Sequence, residues 1–288
     1  IHFLLSLQKS IFMITFPIAK INLGLNIVEK REDGYHNLET VFYPVNINDA
    51  IEIYPMHDGF PSDVDCDLKI SNICIEGNEQ NNVVVRAYNM LKNAGYDLPR
   101  IHTHLYKGIP TQAGMGGGSS DCAYMLKLLN EEFKLNIPNE ELIRLSAKLG
   151  ADCPFFILSK PAYAEGIGEV LTPISLDLSN YYIAIVRPDI PVSTREAFSL
   201  ITPKPTSKKC KDIVKQPIET WRNELINDFE YSVFSIHPEL SEIKNKLYEM
   251  GALYAAMSGS GSSIFGIFEK PININEHFPN MFTYTSKL

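Results

Sequence analysis

A chain of 288 residues, 45% hydrophobic and 21% charged, can bury one large core or two modest ones, and its length favours two. Its formal net charge of -8 argues against a nucleic-acid surface, because phosphate neutralisation needs clustered Lys and Arg and the only basic cluster is Lys204 to Lys215. Cys66, Cys74, Cys122, Cys153 and Cys210 are odd in number, lack Cys-x-x-Cys spacing and accompany no His pair, so they indicate neither a disulfide framework nor a zinc site; a cytoplasmic protein is expected.

The first apolar stretches, Phe3-Leu4-Leu5 and Ile11-Phe12, are interrupted by Lys9 and Ser10 and fall short of the roughly 20 residues of a membrane span. No membrane association is expected, and residues 1–12 read as an extension upstream of a start at Met13. Ile14 to Val28 alternates and is rich in Ile and Leu, predicting one or two strands, with Pro17 marking an edge or a bend. Lys20 and Asn22, two apart, share a strand face. By itself such a Lys is an ordinary snorkelling surface residue. Asp33-Gly34 offers a hairpin turn, and Tyr35-His36 follows it. Those two rings either cover a sheet edge or supply the aromatic face and imidazole that a pocket for a flat heterocycle uses.

Strands are predicted at Val41 to Val45, Ala50 to Tyr54 and Cys66 to Ile75. Asn82 reads as an N-cap, Val83 to Asn93 as a helix and Gly95 as its stop. Arg100 to Tyr106 alternates as a strand, with Lys107 after it, and delivers the chain into Ile109-Pro110-Thr111-Gln112-Ala113-Gly114-Met115-Gly116-Gly117-Gly118-Ser119-Ser120-Asp121. Four glycines in five positions let the backbone approach a ligand, and a helical apolar pattern begins at Cys122, with Ser and Asp as capping candidates. Backbone N–H groups at a helix start suit phosphate. The loop has no Walker Lys after Gly118 and no Gly-x-Gly-x-x-Gly register, so it is none of the commonest phosphate loops.

Pro138-Asn139 opens a helix that Gly150 ends, and Gly150-Ala151-Asp152-Cys153-Pro154 follows. Asp152 is either a helix N-cap or a carboxylate in apolar surroundings that needs a partner. The turn of Ala164-Glu165-Gly166-Ile167-Gly168-Glu169 joins short strands and marks a boundary. Tyr181 to Arg187 reads as a buried strand, Thr194 to Leu200 as a short helix carrying Phe198, and 202–217 as an exposed loop. Amphipathic helices run on to Met250, and Met257-Ser258-Gly259-Ser260-Gly261-Ser262-Ser263 precedes a strand at Ile264 to Phe268.

An early Lys-bearing strand, a Pro-x-x-Ala-Gly-Met-Gly-Gly-Gly-Ser-Ser loop entering a helix and a late Gly-Ser-Gly loop before a strand together resemble the GHMP small-molecule kinases, the superfamily of galactokinase, homoserine kinase and mevalonate kinase. Ala19-Lys20-Ile21-Asn22-Leu23, Asp33-Gly34-Tyr35-His36, Gly150-Ala151-Asp152-Cys153-Pro154 and the 164–169 turn are similar to one branch, whose alcohol carries a cytidine diphosphate. The resemblance implies a two-domain α/β (α+β) kinase, 13–160 and 161–288, with its site in the cleft between the domains. It implies ATP and Mg2+, with a small-molecule alcohol as the other substrate. Lys20 and Asp152 match the catalytic pair. Pro110, Gly114, Met115, Gly116, Gly117, Gly118, Ser119, Ser120, Asn82 and Lys107 match nucleotide positions. Asn22, Tyr35, His36, Thr194, Phe198, Gly259, Ser260 and Gly261 match alcohol-side positions, Tyr35 and Phe198 being the aromatics that hold the base. Mg2+ has Ser119, Ser120 or Asp121 to draw on; Asp121, where some relatives carry Asn, either favours the ion or caps the helix. A kinase for another alcohol, of homoserine or mevalonate type, and a non-catalytic nucleotide-binding regulator are the alternatives.

Overall fold

The computed structural model describes residues 13–75 and 77–288; the expected upstream extension, 1–12, lies outside the described residues. Met13–Thr15 (β1) and Ile18–Lys30 (β2) flank the break at Pro17, and His36–Asn48 (β3) returns beside β2 through the turn at Asp33-Gly34. Ala50–Pro55 (β4) and Cys66–Ser71 (β5) follow. Val83–Asn93 (α1) starts where Asn82 accepts the Val84 N–H at 2.9 Å, and it buries Val84, Ala87, Tyr88 and Leu91 along one stripe. Ile101–Tyr106 (β6) leads through the glycine loop into Gly117–Glu132 (α2), then come Asn139–Ala147 (α3) and Cys153–Leu158 (α4). A first sheet, ordered β1-β4-β6-β5, is covered by α1 and α2 over a core that includes Ile51, Ile53, Leu105, Leu126 and Leu129.

Ala162–Glu165 (β7) and Val170–Pro173 (β8) extend the β2–β3 hairpin into a second sheet, β2-β3-β7-β8. Both strands lie beyond residue 160, so a division of the chain there separates them in sequence from the sheet that they complete. Tyr182–Arg187 (β9), Thr194–Phe198 (α5), Cys210–Ile213 (α6), Trp221–Glu224 (α7), Phe229–Ile236 (α8), Pro238–Glu249 (α9), Tyr254–Met257 (β10), Ile264–Phe268 (β11) and Phe282–Lys287 (β12) make the rest. The third sheet, β10-β11-β9-β12, is antiparallel throughout and packs on α8 and α9. The 202–217 stretch is not simply an exposed loop. Cys210, Ile213 and Val214 fall at helical spacing and are buried, which anchors α6 under the second sheet despite the surrounding lysines.

β2 joins the cores. Ala19, Ile21 and Leu23 pack with Ile183, Ile185, Tyr254 and Phe265 of the third sheet, which leaves Lys20 and Asn22 on the opposite face. The register shifts between Leu23 and Leu25, where Gly24 has φ +67° and a Cβ would lie 2.7 Å from Leu225 Cδ1. A bulge exchanges the two faces of a strand. Beyond it Leu25 faces the same cavity as Lys20 and Asn22, while Asn26 turns to Glu39 and Cys210 on the other side.

Candidate active site

Two open cavities meet at the glycine loop. One, of about 620 Å³, lies between Asn78 to Val83 and the loop from Pro110 to Ser119. The other, of about 630 Å³, is walled by Lys20, Asn22, Thr40, Asp152, Thr194 and Phe198. Gly114, Gly116 and Ser119 line both, so a group held by the loop is reachable from either side.

The loop is shaped by steric need. Gly114 and Gly116 both have φ +71°; a Cβ on Gly114 would stand 1.9 Å from the Ser258 carbonyl oxygen, and one on Gly116 would meet the Phe156 ring at 2.8 Å. The late Gly-Ser loop is thereby locked against the early one, with Ser258 Oγ donating to the Gly114 carbonyl at 2.9 Å and the Ser263 N–H to Ala113 at 3.3 Å. Beneath it Asn227 Nδ2 donates to the carbonyls of Met257 and Gly259, both at 2.8 Å, and Glu230 accepts the Met257 N–H at 2.8 Å. Burial pushes the Glu230 carboxyl up, against the pull of Lys244. The capping expected of Ser119, Ser120 or Asp121 is not found: α2 begins after Gly116 in the left-handed conformation with no side-chain cap, and Gly117, Gly118 and Ser119 of its first turn line the first cavity.

Lys20 is buried at the head of the second cavity. Its Nζ donates to Asn22 Oδ1 at 2.6 Å, lies 3.4 Å from Asp152 Oδ2 and sits 4.9 Å from the Phe42 ring centroid, while its backbone N–H bonds the Met115 carbonyl at 3.0 Å. Asn22 in turn donates to Thr40 Oγ1 at 3.0 Å, and Thr40 donates to Gly24 at 2.5 Å, so the bulge fixes the amide that fixes the lysine. Asp152 occupies the N-cap position of α4 but makes no capping bond. Its side chain, 31% exposed, faces the cavity beside Lys20. A carboxylate next to an ammonium at an open junction can accept a proton from a bound hydroxyl while the cation stabilises the developing negative charge.

Other expected residues divide. Pro110, Asn82, Gly117 and Gly118 line the first cavity, Asn82 with its side-chain oxygen committed to the cap. Asn22, Tyr35, His36, Thr194, Phe198, Gly259 and Ser260 line the second; Gly261 lines an adjoining cavity with Gln112 and Ser260. Tyr35 and Phe198 both line this cavity, and His36 shares it with them. His36 stacks on Phe198 at 4.6 Å and 21°, Phe198 meets Phe229 edge-on at 4.8 Å, and Tyr35 stands 61% exposed at the mouth. Burial and Lys30 lower the His36 pKa, favouring the neutral imidazole.

Burial sets four of the expected residues apart. Met115 is 1% exposed and its side chain belongs to the core between the second and third sheets, because alternate residues of the loop must turn inward to anchor it. Ser120 is fully buried on the inner face of α2. Lys107 and Asp121 reach the edge of the first cavity but bind each other: Lys107 Nζ donates to Asp121 Oδ2 at 2.7 Å and to Asp49 Oδ2. Burial raises the Asp121 carboxyl well above the ordinary carboxylate range, against Lys107. Thr40, Asp49, Asn227 and Glu230 belong to no motif that the sequence offers, and their contacts to the lysines and the two loops appear only in the fold.

The fold and the loop junction define a GHMP kinase. The GHMP kinases N terminal domain matches residues 82–160 and the GHMP kinases C terminal model 213–276. The chain is 50% identical over 277 residues to a 4-diphosphocytidyl-2-C-methyl-D-erythritol kinase of Bacteroides fragilis, covering 96% of this chain and 100% of that one. It is 54% identical over 257 residues to the like-named kinase of Bacteroides thetaiotaomicron, covering 89% and 92%. A crystal structure of 4-(cytidine 5'-diphospho)-2C-methyl-D-erythritol kinase superposes with TM-score 0.79 at 29% identity over 95% of this chain and 98% of that one. Mevalonate kinase of Methanococcus jannaschii shares the fold, with TM-score 0.67 at 13% identity over 96% and 98%. The chain belongs to the 4-diphosphocytidyl-2-C-methyl-D-erythritol kinase family. Among the described residues no helix is long and apolar enough to cross a membrane.

Proposed function

We propose that this protein transfers the γ-phosphoryl group of ATP to the 2-hydroxyl of 4-diphosphocytidyl-2-C-methyl-D-erythritol, a step toward isoprenoid precursors. The observation that carries the reading is the Lys20–Asp152 pair, 3.4 Å apart where the two cavities meet at the glycine loop. ATP lies in the cavity walled by Asn82 and the loop, its phosphates on the N–H groups at the start of α2. The alcohol lies opposite, its base among Tyr35, His36 and Phe198 and its diphosphate toward Gly259, Ser260 and Thr194. Asp152 accepts the hydroxyl proton and Lys20 steadies the developing charge, so the protein supplies position and electrostatics, the main demands of phosphoryl transfer.

Mg2+ bound with ATP would neutralise charge on its phosphates. Ser119, half-exposed and shared by both cavities, fits as its oxygen donor, and one or two protein ligands suffice. Ser120 and Asp121 fit less well, being buried, with Asp121 already bound to Lys107.

An ATP-consumption assay with 4-diphosphocytidyl-2-C-methyl-D-erythritol, homoserine and mevalonate tests the reading. Turnover with the first alone is expected. Turnover with one of the others would replace the substrate assignment, and none with any of the three would favour a nucleotide-binding regulator.

A further inference from the structure

The glycine loop leaves β6 at Lys107 and enters α2 at Gly117, and one buried carboxylate ties both ends. Asp49, in the tight link between β3 and β4, accepts the backbone N–H groups of Gly108 and Ile109 through Oδ1, at 2.6 and 2.8 Å. Its Oδ2 accepts from Lys107 Nζ, and the same ammonium reaches Asp121 Oδ2 one turn inside α2. The side chains of all three are at most 2% exposed. Asn72 Nδ2 holds the Lys107 carbonyl at 2.6 Å, and Gly117 passes so close that a Cβ there would lie 3.0 Å from Ile109 and 3.5 Å from Lys107 Nζ.

We propose that Asp49 is a positioning residue for the nucleotide: through Lys107 and Asp121 it fixes the spacing between the entry and the exit of the glycine loop. The inference rests on reading the adjoining cavity as the ATP site. A segment with glycines at 114, 116, 117 and 118 has few side chains with which to hold its own shape, and two of those glycines adopt positive φ. Its geometry is therefore imposed largely from outside: by the late Gly-Ser loop over its middle, and by Asp49 at its ends. Lys107 builds this site rather than clasping the ligand. To reach a phosphate it would have to leave the buried Asp49 carboxylate without its cation and Asp121 without its donor, a costly exchange.

The experiment compares wild type with Asp49→Asn, Lys107→Met and the double variant Lys107→Met/Asp121→Asn. The readouts are the Kd of a non-hydrolysable ATP analogue, the KM of each substrate and the melting temperature. Asp49→Asn keeps the shape and an acceptor for the two N–H groups but removes the charge facing Lys107. It is expected to weaken the analogue by on the order of tenfold, the scale of one lost charge-assisted hydrogen bond, while the KM of the alcohol stays within about twofold. Lys107→Met is expected to weaken the analogue at least as much, and the double variant to regain most of that loss, because an amide at position 121 can donate to the Asp49 carboxylate in place of the ammonium while Asp49 keeps its two N–H donors. A double variant as weak as Lys107→Met would show that Lys107 touches the nucleotide and would overturn the proposal. So would an Asp49→Asn protein in which both ligands weaken alike with a fallen melting temperature, the mark of a general support of the fold. Should Asp49→Asn not fold, the Lys107 pair of variants decides. Gly114→Ala is the control for the underlying reading: normal binding of the analogue by that variant would remove ATP from the cavity, whatever Asp49 does.

Discussion

Two lysines stand on either side of the glycine loop, each beside aspartate, and they differ in what is left for them to do. Lys107 is enclosed with Asp49 and Asp121, its partners both buried and both bound to it. Lys20 is as deeply buried, but its carboxylate partner Asp152 is 31% exposed, 3.4 Å away, and faces a cavity large enough for a substrate. A charge enclosed together with its partners organises the backbone around it, whereas a charge paired across an open surface can respond to a ligand. The same residue types thus make a brace on one side of the loop and a reaction centre on the other.

The sharpest way to break this contrast is to change the open pair. Asp152→Asn is expected to lower kcat by roughly 10²- to 10⁴-fold with little change in melting temperature, because the variant keeps the shape and loses the proton acceptor of a side chain that makes no capping bond. Steady-state kinetics with a thermal melt would check it; near-normal turnover would put Asp152 on the same structural footing as Asp49.

A smaller effect is expected on the alcohol side. Phe198→Ala removes a ring that stacks on His36 and rests on Phe229, and should cost about 1 to 3 kcal/mol of base stacking, or roughly 5- to 150-fold in affinity for the cytidine substrate. ATP affinity should hardly move, since Phe198 lines only the second cavity of the two that share the loop. Titration with each ligand separates the two sides; equal weakening of both in a destabilised protein would make Phe198 a core residue.

The smallest expected effect concerns a third carboxylate–lysine pair, Glu230 with Lys244, under the late Gly-Ser loop. Burial raises the Glu230 pKa, so the folded protein holds that proton more tightly than the unfolded chain. Stability from this group is present at acid pH and is lost as pH rises from the ordinary carboxylate range through the raised value. Glu230→Gln still accepts the Met257 N–H and lacks this loss, so its melting temperature relative to wild type should climb with pH. A difference that is flat with pH would mean that Lys244 fully compensates the buried charge.

Local chemistry made much of this legible in advance. Period-two alternation put Lys20 and Asn22 on one strand face, Asn82 announced α1, and the glycine run between a strand and an apolar helical pattern marked the loop. The same local reasoning failed where an environment decides. Cys210, Ile213 and Val214 sit among lysines yet are buried, and the short strands β10 and β12 form only because β11 and β9 offer them edges.

What the sequence by itself determined was the order of strand, loop and helix and the residue types available at each, since those follow from spacing and backbone preference. Only the tertiary structure decided which of those residues meet. Asp152 joins Lys20 rather than capping α4, Asp121 joins Lys107 rather than capping α2, and Ser258 closes on Gly114 from the far end of the chain. A carboxylate's options, cap, brace or base, are nearly equal in local energy, and the balance is set by which charges and how much water the packed fold leaves beside it.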